Sequence, residues 1–152
     1  MYQYIYKNAG IAWAGRFDSQ RDHAYFELVM PYIVITYEGK PIGAKFLRCT
    51  NIFTRMRGLL GRVDMKGIDG AYISPCQAVH TFLMRFPIDV VFVAADGTVI
   101  DIIHSLQPNK TTSIRRNARS VIELDVGRAE ALSIKPGGRL NAKLVRAEVF
   151  EL

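Results

Sequence analysis

The sequence predicts a mainly β protein, a compact β-sandwich or barrel-like domain with one or two short helices. Three observations predict it. Short runs rich in β-branched and aromatic residues recur along the chain, as in Tyr32 to Tyr37 and Ser120 to Val126. Turn residues separate those runs, with twelve glycines and six prolines spread out rather than clustered. Only one stretch has a clear helical period. The 152 residues suit one domain with a real core, and 49% hydrophobic with 22% charged residues is ordinary for a globular chain.

Residues 1–29 are dense in aromatics without a sustained period, and Tyr2, Tyr4 and Tyr6 alternate as in a short edge strand. They read as an N-terminal extension, with a single β-rich domain over 30–152. Met30 stands immediately before the first clean strand and is a candidate translation start; an aromatic arm packed on the domain is the competing reading.

Tyr32 to Tyr37 is that strand, Gly39-Lys40-Pro41 a turn, and Ala44 to Cys49 the next strand. Thr50 or Asn51 can cap a helix in which Ile52, Met56, Leu59 and Leu60 share a face, and Gly61 fits the position just past its end. Ala71 to Ser74 and Ala78 to Met84 read as short strands. Ile88 to Ala95 and Thr98 to Leu106 flank Asp96-Gly97 as a hairpin. Gln107 to Arg119 is a basic loop without an acidic residue. Ser120 to Val126 is a strand, Gly127 to Ser133 a short helix and Lys135 to Gly138 a turn. Arg139 to Val145 and Ala147 to Glu151 close the chain as strands.

The net charge of +6 lies wholly in residues 41–152, which hold sixteen basic and ten acidic side chains; residues 1–40 balance at four of each. Such an excess favours an anionic small molecule or an acidic protein surface as partner. Aromatic and basic residues do not interleave as in single-strand readers, which argues against nucleic acid. Two cysteines without a C-x-x-C spacing support neither a disulfide framework nor a zinc ribbon, and no metal or cofactor is expected. No apolar run reaches the roughly 18 residues of a membrane span, and the first fifteen residues lack the pattern of a secretory signal. The expected location is the cytoplasm.

Four residues are candidates for chemistry: Cys76, His80, Asp89 and His104. Cys76 and His80 are four apart, which on a strand separates them by about 13 Å, too far for one metal or a nucleophile–base pair. Asp89 interrupts an apolar run. A two-residue loop at Asp96-Gly97 would set Val93 against Ile100, Val91 against Ile102 and Asp89 against His104. A carboxylate so placed favours a protonated imidazole. The pair is either an acid–base dyad at a pocket rim or a structural cross-strand contact. Arg55 and Arg62 lie two turns apart on one line of the expected helix with Gly58 between them. With Arg57 and Thr81 they are the candidate ligand-binding residues. Lys110, Arg115, Arg116 and Arg119 form a second basic cluster.

At these residues the chain resembles a known family. R-M-R-G-L-L-G-R (Arg55 to Arg62), P-C-Q-A-V-H-T-F-L-M-R-F-P-I-D-V-V-F-V-A-A-D-G-T-V (Pro75 to Val99), V-I-E-L-D-V-G (Val121 to Gly127) and I-K-P-G-G (Ile134 to Gly138) resemble the domain-of-unknown-function family 192 over about residues 40–145. Many members read W-M-K-N-T where this chain has His80 to Met84, and Gly-Asp where it has Gly137-Gly138. The resemblance implies a compact β-sandwich with a small helical element and no established reaction. Many relatives carry export signals or lipoprotein anchors.

A non-catalytic binding or accessory module for an anionic ligand or acidic partner is the preferred expectation. The alternatives are a small hydrolase-like enzyme using Asp89 with His104 or His80 and Cys76, and a basic nucleic-acid-associated protein.

Overall fold

The computed structural model describes residues 3–5, 14–16, 33–50, 59 and 61–144. The expected helix after Thr50, apart from Leu59, and the strand expected at 147–151 lie outside them. Nine strands are described: β1 (Gln3–Ile5), β2 (Ala14–Arg16), β3 (Ile33–Tyr37), β4 (Lys40–Cys49), β5 (Gly70–Ile73), β6 (Ile88–Val93), β7 (Val99–Leu106), β8 (Ser120–Asp125) and β9 (Leu140–Leu144). One short helix, α1 (Arg128–Ala131), follows β8. β1 and β2 form a separate antiparallel pair. The other seven strands make one sheet in the order β7-β6-β8-β5-β4-β3-β9. Only β4 and β5 run parallel, so the chain crosses over between Cys49 and Gly70.

This sheet curls into a half-barrel, the barrel-like form of the expected mainly β fold. Its first and last strands meet at one end: Val99 N donates to Gly138 O at 2.8 Å and Leu140 N to Gly97 O at 2.8 Å. The curl follows from two apolar surfaces of unequal reach. Val99 of β7 and Leu140 of β9, from the two edges, join Ile35, Phe46, Val91, Ile122 and Leu124 in one concave core. Ala71, Val90, Phe92 and Val121 face outward and are covered by Leu59, Met65 and Met84. β6 is buried along its whole length, since it is covered on both faces.

The hairpin departs from the expected register near its turn. Ala94 N bonds Thr98 O at 2.8 Å, which makes a three-residue loop with Gly97 at φ +90°. Val93 therefore faces Val99, not Ile100. A bulge at Ile100 restores the expected pairing of Val91 with Ile102. The loop length follows from the left-handed Gly97, which closes a type I turn without splaying the strands. The first turn is also tighter than expected: Glu38 and Gly39 both take positive φ, and β4 begins at Lys40.

Ala78 to Met84 is not a strand. It holds one isolated bridge, His80 to Thr111. Leu83 takes φ +61° and Met84 N turns back to Thr81 O, a geometry no strand can continue. No helix among the described residues is long and apolar enough to cross a membrane.

Candidate functional site

Asp89 sits on the concave side of β6, fully buried. Two residues, His104 and Ser105, stand opposite it, because a second bulge lies between the Val90–Ile103 and Ile88–Leu106 pairs. Ser105 takes φ +52°, and its N–H donates to Asp89 Oδ1 at 2.9 Å. Ala129 N donates to Oδ2 at 3.0 Å. That N–H belongs to the first turn of α1, whose N-cap, Gly127, offers no side chain. Asp89 thus satisfies from another strand a donor the helix leaves open. His104 Nδ1 lies 3.9 Å from Oδ2, beyond hydrogen-bond length, and its side chain is half exposed. The structure brings Asp89 and His104 together, but backbone donors hold the carboxylate.

The other candidates lie elsewhere. Cys76 Sγ donates to Ala78 O at 3.1 Å. His80 is exposed and stacks on Phe82, ring centroids 5.2 Å apart. Among the described residues no hydrogen bond or ion pair joins His80 to Asp89 or His104. Thr81 is fully buried; its hydroxyl donates to Gln107 O at 2.6 Å and accepts from Lys110 N at 3.0 Å. Arg62 reaches Asp64 O and Lys66 O, bracing its own loop. Arg55 and Arg57 lie outside the described residues. No group of three metal-ligating side chains occurs among the described residues.

Two features escaped the sequence. Glu123, in the middle of β8, is buried on the convex face. Its pKa is pushed up to about 7 by burial. Burial, with Glu123 nearby, pushes the Cys49 thiol up to about 11, so at neutral pH it is no nucleophile. The signal for Glu123 was a lone acid inside V-I-E-L. The second feature is a ridge. Residues 76–84 run against 107–119, joined by Cys76 N to Arg119 O, Arg115 N to Gln77 O, Thr112 N to Val79 O and Thr81 N to Lys110 O, all 2.8–3.0 Å. Arg115 rivets this pair of loops to β7 through Asp101 Oδ2, at 2.8 and 3.0 Å, and lies over the Phe92 ring.

The ridge is acid-free. Residues 74–87 and 107–119 contain Arg85, Lys110, Arg115, Arg116 and Arg119 and no Asp or Glu, leaving fifteen cations and fourteen acids in the rest of the chain. Apart from Arg115 these cations are exposed and carry no ion pair among the described residues. Beside them stand Phe82, Leu83 and Ile114, at 49%, 79% and 66% exposure. The positive φ of Leu83 costs roughly 1 kcal/mol for a residue with a Cβ. Asn109 Oδ1 accepts from its N–H at 3.2 Å and holds the turn.

Comparison with known proteins places this architecture. The model of the DUF192 family, described as an uncharacterized ACR, matches residues 35–142, and the chain belongs to that family. No curated protein matches the chain. Two solved structures are similar in fold. One is a protein of unknown function from Novosphingobium aromaticivorans DSM 12444, with 20% identity over 72% of this chain and 83% of that one, TM-score 0.62. The other is called a putative transcription regulator, from Sinorhizobium meliloti 1021, with 20% identity over 76% of this chain and 95% of that one, TM-score 0.62.

Proposed function

We propose that this DUF192 member is a non-catalytic binding or accessory module that docks an acidic protein surface through the ridge of residues 76–84 and 107–119. The single observation that carries the reading is the ridge's composition: four cations and no acid, with Arg85 adjoining as a fifth cation, together with three exposed large apolar side chains. A surface of that kind attracts an acidic partner at long range and gains affinity by burying Phe82 and Leu83 on contact. The cost of holding Leu83 at positive φ on an exposed tip fits a contact residue better than a solvated one.

The hydrolase-like alternative has less support. Asp89 is held by two backbone N–H groups, and His80 stacks on Phe82 away from it. The name of the Sinorhizobium meliloti protein points to the nucleic-acid alternative, but a likeness at 20% identity carries the fold alone.

The test is titration of the protein with a library of acidic peptides and with duplex DNA at two ionic strengths. Acidic peptides carrying an apolar residue should bind. The Lys110→Glu/Arg116→Glu pair and Phe82→Ser should each lower affinity about tenfold or more, with melting temperature unchanged. The proposal fails if no acidic peptide binds, if the variants bind as wild type does, or if DNA binds more tightly than any peptide with a steep salt dependence.

A further inference from the structure

The concave core does not fill the half-barrel to its end. Phe46 and Ile33 pair across β4 and β3 and form its last apolar layer there. Beyond them opens a cavity of about 240 Å³. Strand alternation places Arg48, two residues past Phe46, on the same concave side. Tyr72 stands directly opposite Arg48 in the parallel β4–β5 pair. Thr50 and Ser74, just past the ends of those two strands, complete the polar wall, and Ala142 and Leu144 of β9 close the apolar side. The mouth of a curled sheet is a common place for a small-molecule site.

Its chemistry is one-sided. The wall supplies one guanidinium and three hydroxyls, and among the described residues no carboxylate lines it. Among the described residues none of these four side chains makes a hydrogen bond or ion pair with the protein. Arg115 pairs with Asp101, Arg139 with Asp96 and Arg62 with two carbonyls, whereas Arg48 shares its unpaired state among the described residues with the exposed ridge arginines and differs from them in standing in a concavity. An arginine in a concavity ringed by hydroxyls presents a planar fork of donors suited to an oxyanion. The volume is that of about eight waters, enough for a carboxylate or phosphate on a compact body and too small for a dinucleotide.

We propose that the mouth of the half-barrel binds a small oxyanion-bearing molecule, with Arg48 on the anion, the hydroxyls of Tyr72, Thr50 and Ser74 beside it, and Ile33, Ala142 and Leu144 against its apolar part. This site is separate from the ridge and does not depend on that reading. The phosphate and carboxylate forms share this chemistry and are distinguished by two probes.

Calorimetric titration of the full chain with phenyl phosphate and with benzoate tests it. At least one probe should bind saturably at one site. Arg48→Gln should weaken that binding about tenfold or more, and Tyr72→Phe by a smaller factor. Lys143→Gln, which removes an exposed β9 cation outside the cavity lining, should leave it unchanged. Arg48 is exposed, so Arg48→Gln should melt as wild type does. The proposal is overturned if neither probe saturates, if Arg48→Gln binds as tightly as the wild type, or if Lys143→Gln weakens binding as much as Arg48→Gln does.

Discussion

Asp89 and Glu123 lie on neighbouring strands one register step apart, since Asp89 pairs with Leu124 and Glu123 with Val90. Both are buried, and they point to opposite faces of the sheet. On the concave side, each oxygen of Asp89 accepts a backbone N–H. On the convex side no hydrogen bond to the Glu123 carboxyl occurs among the described residues, and burial pushes its pKa up to about 7. Burial of a carboxylate is therefore not one condition. Where bulges and helix ends aim backbone donors at it, the acid is a structural joint. Where a regular ladder uses those donors, the acid is a titratable weakness.

The largest effect should come from Asp89→Ala. It leaves the N–H groups of Ser105 and Ala129 buried without their acceptor, and should cost about 3–5 kcal/mol in denaturant unfolding. A loss below about 1 kcal/mol would remove the distinction between the two acids.

Next comes the pH dependence of Glu123. Its folded pKa of about 7 lies above the usual carboxylate value of 4.5. The folded state then holds a proton that the unfolded chain has released. Its contribution to stability is fully present below about pH 4.5 and is lost as pH rises through 7, by on the order of 3 kcal/mol. Glu123→Gln should be flatter than wild type across that window when melting is followed from pH 4 to 8. Parallel pH profiles for the two proteins would show that the acid is solvated after all.

The smallest effect should come from His104→Ala. With its imidazole half exposed and 3.9 Å from Asp89, the change should stay within about 1 kcal/mol at pH 6. A loss like that of Asp89→Ala would make the imidazole, not the backbone, the group that holds the carboxylate.

Much of the fold was legible because strand formation is written locally. Ile33 to Tyr37, Ser120 to Asp125 and the two arms of the hairpin follow β-rich runs between turn residues. The neighbourhood of Asp89 and His104 was legible too, since Val91 does face Ile102. The two bulges were not, because a single extra residue leaves no mark on composition and is decided by what the strand packs against. Ala78 to Met84 misled for a similar reason. Its residues suit a strand, but its bonding partner is a loop thirty residues away, and Thr81 anchors to Gln107 and Lys110 rather than to a sheet.

The sequence by itself determined the β character, the order of the elements, the family and the basic excess, since each depends on residues close in the chain or on simple counting. Only the tertiary structure decided which way the sheet curls. That curl put Arg48 at a concave mouth, Glu123 beneath a covered face, and two acid-free segments side by side in one ridge. The physical reason is that curvature comes from the unequal reach of two apolar surfaces and from bulges, both set by contacts between residues far apart in sequence.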